Sequence, residues 1–222
     1  MLLSQTEENY LKAIYLLSYE DNNQPIEVST NDIAKKIDIS AASVSDMLKK
    51  LSQKTLIHYE KYQGVKLTEE GKKLAINIIR KHRLWETFLV DKLNFKWDEV
   101  HEVAEQLEHI NSKLLIQRLD EFLGSPKYDP HGDPIPDKDG FFQQDIGDCI
   151  HQYAIGNKVE VRSVKENAPL FLQFLDKVGI GIGTTMIILD KIKYDQSIEV
   201  DINNHKVILS KEVSDKIYVN QL

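Results

Sequence analysis

Between Ser29 and Leu67 the chain sets out two short helical stretches, a tight break between them and a hairpin directly behind. Few folds accommodate that order in so little chain. Ser29-Thr30-Asn31-Asp32 offers N-cap oxygens to a helix running from about Asn31 to Ile37. Asp38-Ile39-Ser40 interrupts it, and Ser40 can cap a further helix in which Val44, Met47, Leu48 and Leu51 repeat as one apolar stripe. Leu56 to Glu60 and Val65 to Leu67 then read as strands about a turn containing Gly64. Upstream, Tyr10, Leu11, Ile14, Tyr15 and Leu17 give an amphipathic first helix behind Thr6-Glu7-Glu8-Asn9.

Two helices joined by so tight a turn, with a β wing behind, specify a winged helix-turn-helix whose second helix can enter the major groove of double-stranded DNA. The alternative is a small α/β core that touches no DNA. On the first reading, Ser40, Ala42, Ser43 and Ser45 are small enough to approach base edges. Lys49 and Lys50, with Lys61 or Lys66 from the wing, are placed to meet phosphate. Asp46 can accept from cytosine N4 or pair with Lys49 or Lys50 and never reach a base.

Thr68-Glu69-Glu70-Gly71 opens a long fourth helix with more apolar residues than one face of a monomer core requires, among them Leu74, Ile78, Leu84, Trp85 and Phe88. A fifth helix follows, capped by Asp98, with Val100, Val103, Ala104, Leu107 and Ile110 as its stripe. The pair reads as a dimerisation unit, or as an intramolecular hairpin. His82 and Glu86 are four apart on the fourth helix, and His101, Glu105, Glu108 and His109 recur along one face of the fifth. Imidazole nitrogen with carboxylate oxygen and no thiolate suits Mn(II), Fe(II), Co(II) or Zn(II), the carboxylates favouring the harder ions. Solvated salt bridges are the plainer alternative.

Charge is unevenly spread. Residues 1–80 carry 11 basic and 11 acidic side chains, residues 81–140 carry 8 and 13, and the remainder 9 and 11. The overall charge of -7 therefore comes mainly from the middle of the chain and leaves the first segment neutral, which fits a DNA-reading module joined to a cation-binding one. Cys149 is the single cysteine, so neither an intrachain disulfide nor a cysteine-rich zinc site can form. The first residues lack a basic and then apolar leader, and no apolar run is long enough to span a bilayer. A cytoplasmic chain with no membrane partner is expected.

Past Asp137-Lys138-Asp139-Gly140 the pattern changes to short strands at Val159–Val164, Thr185–Ile188, Ile198–Val200 and Val207–Leu209, read as a small β-barrel. Gly179, Gly181 and Gly183 read as turn glycines rather than a phosphate loop, because no helix follows them. The expected fold is mainly α with small β parts. It comprises a winged helix-turn-helix over 1–72, a helical metal-binding and dimerisation domain over 73–140 and an SH3-like domain over 145–222.

The segment from Thr6 to Pro136 resembles the iron- and manganese-dependent repressors typified by the diphtheria toxin repressor and the manganese transport regulator. The residues that carry the likeness are Glu8-Asn9-Tyr10-Leu11 with Ile14-Tyr15, Val44-Ser45, Leu67-Thr68 with Gly71, His82-Arg83-Leu84 with Glu86, Glu105-x-x-Glu108-His109 and His131-Gly132-Asp133-Pro134-Ile135-Pro136. The resemblance implies a homodimeric repressor of metal-uptake genes that grips its operator when Mn(II), or alternatively Fe(II), is bound. Zn(II) or Co(II) would be able to substitute in vitro.

By the same resemblance Glu105, Glu108, His109 and Asn9 form a principal metal site. His82 matches a ligand position in both branches, and Glu86 and His101 match the second site of the iron-responsive branch. Some members add ligands to that site from the carboxyl-terminal domain, where Asn167 and Leu170 stand at the aligned positions and Glu166 is the nearest carboxylate. Glutamate at 105, where iron-responsive members tend to carry cysteine, favours manganese. Two positions depart from the pattern. Asn9 stands where a methionine or aspartate is usual, and Lys12 stands where the manganese regulator places a glutamate. A metal-independent winged-helix regulator and a dinuclear metalloenzyme are the rival functions. The second would need ligands from four helices, and only two are ligand-rich.

Overall fold

The computed structural model describes residues 3–19, 26–60, 63–142 and 146–222. These divide into two compact units. The first comprises Met1–His82, Glu108–Asn111 and Pro136–Phe141; the second comprises Arg83–Leu107, Ser112–Ile135 and Phe142–Leu222.

In the first unit α1 (Gln5–Ser18) begins with a reciprocal cap, in which Ser4 Oγ accepts from the Glu7 amide and Glu7 Oε2 accepts from the Ser4 amide. Helices α2 (Thr30–Lys36) and α3 (Ala41–Gln53) start on the side chains of Ser29 and Ser40, one accepting from Asp32 and the other from Ser43. Asp38 adopts a left-handed φ of 50° in the break between them. Val44, Leu48 and Leu51 are fully buried, so the apolar stripe of α3 packs inward; Met47 is only half-buried. Strands β1 (Ile57–Tyr59) and β2 (Val65–Leu67) pair antiparallel, with Ile57 opposite Leu67, and Val28 adds a bridge to Val65. Lys61 and Tyr62 lie outside the described residues.

Helix α4 (Glu69–Leu93) starts directly behind β2. Gly71 is required there, because a Cβ would sit 2.0 Å from the Leu56 carbonyl oxygen, so only glycine lets the helix start press against the entry to the wing.

The second unit contains α5 (Val100–Leu107), α6 (Lys113–Phe122) and a carboxyl-terminal sheet. Helix α5 ends one residue before Glu108, which corrects the expected single face. Glu108 and His109 lie in the turn beyond it, with Ile110 following, rather than along the helix. The sheet holds β3 (Asp148–Cys149), β4 (Lys158–Val164), β5 (Thr185–Lys191), β6 (Ile198–Ile202), β7 (His205–Leu209) and β8 (Ile217–Gln221) in the order β3-β8-β4-β5-β6-β7. All its pairings are antiparallel, and register shifts at Val161/Ser163 and Ile188/Asp190 bend it. Alternate residues of β6, Ile198, Val200 and Ile202, point into a core that α7 (Pro169–Val178) closes with Leu172 and Leu175. Gly179 ends α7 at a φ of 78°, the left-handed helix stop that its turn reading anticipated. A short α8 (Lys211–Ser214) precedes β8. Among the described residues no helix is long and apolar enough to cross a membrane.

Candidate metal centre

The expected ligands fall into two groups, one in each unit. In the first, Glu108 is fully buried and surrounded by polar groups from α1 and α4. Its Oε2 meets His82 Nδ1 at 2.6 Å and accepts from Lys12 Nζ at 2.8 Å. Its Oε1 lies 2.7 Å from the same ammonium, without the alignment of a hydrogen bond. His109 Nδ1 meets Glu8 Oε2 at 2.6 Å, and Lys81 is buried where the charges of Glu8 and Glu108 act on it. Burial alone would raise the Glu108 carboxyl, but the His82 hydrogen bond and the Lys12 charge outweigh it and hold the pKa below the ordinary carboxylate value.

Asn9, expected to supply the ligand from helix one, is exposed, and Glu8 is the α1 residue that meets His109. The physical reason is helical register. One residue along an α-helix is a turn of about 100°, so Glu8 and Asn9 face different directions. The Glu7-Glu8 pair in the first turn was visible in the sequence, but nothing there distinguished a buried member from an ordinary helix-start acid.

In the second unit Glu86, Asp129 and His131 are all buried, and each offers a ligand atom within 4.8 Å of the others'. His131 Nε2 donates to the Trp97 carbonyl oxygen at 2.9 Å, which orients the ring with Nδ1 toward Glu86 Oε2, 3.7 Å away. Asp129 Oδ1 accepts from the amides of His131 and Asp133, both at 2.9 Å, which fixes the loop. Arg83 approaches Asp129 Oδ2 at 3.6 Å and Asp133 at 3.5 Å. Gly132 lets this loop lie on β4, since at its φ of 83° a Cβ would fall 2.0 Å from the Arg162 carbonyl oxygen.

Burial, reinforced by the charges of Asp133 and Glu86, pushes the Asp129 carboxyl up to about 7. Burial would lower His131, but the Glu86 hydrogen bond and the Asp129 charge outweigh it and lift the imidazole to about 9. The pocket therefore holds an imidazolium where a cation is electrostatically favoured. Two carboxylates and one imidazole, with a carbonyl orienting the ring, are a fitting donor set for a divalent ion of the harder kind. Asp129 and His131 were not singled out as candidate donors in the sequence. The signal available was their place in a polar loop, at Asp129-Pro130-His131, far along the chain from Glu86.

His101 and Glu105 lie on α5 beside this group. His101 Nδ1 is 3.3 Å from Glu86 Oε1 and its Nε2 is 3.6 Å from Glu105 Oε1, while the Asn167 amide approaches the ring at 3.0 Å. Glu166 instead pairs with Lys216 at 3.0 Å and accepts from the Ala168 amide, and Leu170 is exposed. Of the three positions read from the carboxyl-terminal domain, Asn167 is the one beside the histidine.

On α3 the candidate DNA-facing residues Ala42, Ser43, Asp46, Lys49 and Lys50 are exposed, as is Ser40 at its cap; Ser45 is half-buried and donates to the Ala41 carbonyl at 3.0 Å. Asp46 pairs with Lys49 at 2.9 Å, and Lys66 pairs with Glu27 at 2.9 Å.

Sequence profiles match three successive stretches: the iron-dependent repressor N-terminal DNA-binding domain over 2–65, the iron-dependent repressor metal-binding and dimerisation domain over 68–137, and the FeoA domain over 150–221. The diphtheria toxin repressor of Corynebacterium glutamicum is 31% identical over 199 residues, 85% of this chain and 86% of that protein. The chain belongs to the iron-dependent repressor family. The iron-dependent repressor IdeR of Mycobacterium tuberculosis is 37% identical over 134 residues, 60% of this chain and 56% of that protein, so the match spans about half of that relative. Among solved structures, a manganese-dependent transcriptional repressor in complex with manganese superposes with a TM-score of 0.87 at 33% identity, over 97% of this chain and all of that one. ScaR with bound zinc superposes at 0.80 and 30%, over 97% of this chain and 99% of that one. The carboxyl-terminal sheet is thus the family's FeoA-type, SH3-like domain, as expected from the sequence.

Proposed function

We propose that this chain is a metal-activated, homodimeric DNA-binding repressor whose activating ion is Mn(II), held by Glu86, Asp129 and His131. The observation that carries the reading is the convergence of two buried carboxylates and one oriented imidazole, reached from two separate stretches of the family's metal-binding region, α4 and the Asp129–His131 loop. All three donors are oxygen or nitrogen, which favours manganese over thiolate-seeking ions; Fe(II) is the alternative on the same chemistry, with Zn(II) or Co(II) able to substitute in vitro. The manganese-bound relative supports the choice, and the iron-responsive relatives are the reason to test both.

Glu86, Asp129 and His131 would hold the ion, which would supply two positive charges to draw the three donors together. Every other part of the device belongs to the protein. Trp97 orients His131, Asp129 holds the loop through two amides, and Arg83 balances the surplus carboxylate charge. Glu86 sits on α4, the same helix that begins directly behind the wing, so restraint of the loop against Glu86 restrains a helix continuous with the DNA-reading module. Operator affinity then rises with metal, and by linkage metal affinity rises equally with operator. The ligand set at Glu105, Glu108 and His109 is replaced in this reading by the group around Glu86.

Helix α3 reads the major groove with Ser40, Ala42, Ser43 and Ser45, while Lys49 and Lys50 meet phosphate. Asp46 orients Lys49 through their ion pair. The exposed apolar side chains of α6, Leu114, Leu115 and Phe122, supply the surface for a second copy. Titration of operator DNA at fixed salt, with and without Mn(II), tests the proposal. Metal must tighten binding in the wild type and not in His131→Gln; equal tightening in both would overturn it.

A further inference from the structure

The group around Glu108 has the residues of a metal site and a charge balance that already closes without an ion. Glu8 and Glu108 bring two carboxylates; Lys12 and Lys81 bring two ammonium groups. Lys12 contacts both oxygens of Glu108, at 2.7 and 2.8 Å, while His82 takes the remaining direction at Oε2 and His109 is engaged with Glu8. A divalent ion entering this pocket would have to displace a partly buried ammonium that is tethered by its own side chain and cannot diffuse away. The donor set therefore does not fit a metal so long as Lys12 is there.

We infer that Lys12 is a built-in cation that permanently closes the Glu108 cluster, so that α1 is fastened to the Glu108–His109 turn without metal. This goes beyond the metal reading given above and rests on it in one respect, that a separate ion site exists at Glu86, Asp129 and His131. Three consequences follow from the geometry. The protein takes no ion at Glu108 and His109. The fastening of α1 to this turn is the same in apo and metal-loaded protein. Removing only the ammonium, with the side-chain bulk kept, opens a site lined by Glu8, Glu108, His109 and His82, all of which remain.

The test is equilibrium dialysis of the full chain against Mn(II), with bound ions per chain counted for the wild type, Lys12→Met, Glu108→Gln and the Lys12→Met/Glu108→Gln double variant. Melting temperatures with and without metal are read on the same samples. Glu108→Gln is expected to leave the wild-type count unchanged. Lys12→Met is expected to gain one ion per chain, to melt lower than the wild type without metal and to recover when Mn(II) is added. The double variant is expected to lose that gained ion. His109→Gln serves in place of Glu108→Gln if the latter does not fold.

A wild-type count that drops by one on Glu108→Gln or His109→Gln would overturn the inference, as would a folded Lys12→Met that gains nothing. His131→Gln, run in parallel, separates the two readings. If it leaves the count unchanged, the centre at Glu86, Asp129 and His131 is wrong, whatever the Lys12 variants show.

Discussion

Acidification should weaken Mn(II) binding steeply, and the structure sets both the sign and the size. His131 titrates at about 9 and Asp129 at about 7. A protonated imidazole has no lone pair to give, so below about pH 9 each ion that binds must expel the His131 proton, and below about pH 7 an Asp129 proton as well. From about pH 8 to about pH 6 the His131 proton alone costs about 100-fold in affinity; an independent Asp129 proton would add about tenfold. Because each residue's charge shifts the other, the combined loss should lie between about 100-fold and about 1,000-fold, equivalent to roughly 3–4 kcal/mol.

Calorimetric titration of Mn(II) into the full chain, repeated in buffers of different ionisation enthalpy, reads affinity and protons released in one experiment. At about pH 8 close to one proton should leave per ion, rising toward two near pH 6. In His131→Gln residual binding should lose most of this dependence. An affinity that stays flat across that range, with no proton released, would refute the assignment of His131 as a ligand.

Three further outcomes follow from the fold. Gly71→Ala places a methyl against the Leu56 carbonyl oxygen and should lower stability by about 1–3 kcal/mol, seen as a reduced urea midpoint with an unchanged slope. Ser40→Ala removes the cap of α3 and should cost about 1 kcal/mol in urea unfolding, with a loss of operator affinity larger than that of an exposed control such as Lys35→Ala. Glu7 is held below the ordinary carboxylate value: burial raises it, but the Lys54 contact at 2.5 Å and the Ser4 amide prevail. A depressed carboxylate contributes stability above its unfolded pKa and loses it as pH falls through the folded one, so Glu7→Gln should destabilise near pH 7 and be nearly neutral near pH 3.

The parts of this fold written in local chemistry were legible in the sequence. Ser29 and Ser40 cap the helices they were expected to cap, and the wing strands and four of the six carboxyl-terminal sheet strands fall where β-rich runs were read. Strand β8 was missed because its alternating Ile217 and Val219 form a short run that ends in Asn220-Gln221; its place in the sheet comes from pairing with β3 and β4 on either side. Helix α6 was also missed, although Ile116 and Leu119 recur three apart on its buried face.

At the candidate metal centre the histidines and glutamates of α4 and α5 were recognisable as donor-rich, but which of them converge depends on long-range packing. Asp129 and His131 come from a loop whose position depends on Gly132 resting against β4, a contact with no local signature. Asn9 was aligned by resemblance with the family's helix-one ligand, whereas Glu8, one residue earlier and about 100° around the helix, is the one that meets His109. Lys12 was visible as a departure from the family's pattern; only the structure shows its ammonium against both oxygens of Glu108.

The claim at the centre of this account is the place of the ion. Crystals of the full chain grown with Mn(II), with diffraction recorded on both sides of the manganese absorption edge, locate it directly. A single anomalous peak per chain bounded by Glu86, Asp129 and His131 is the expected map. A peak at Glu108 and His109 with Lys12 swung aside, and none beside His131, would contradict it.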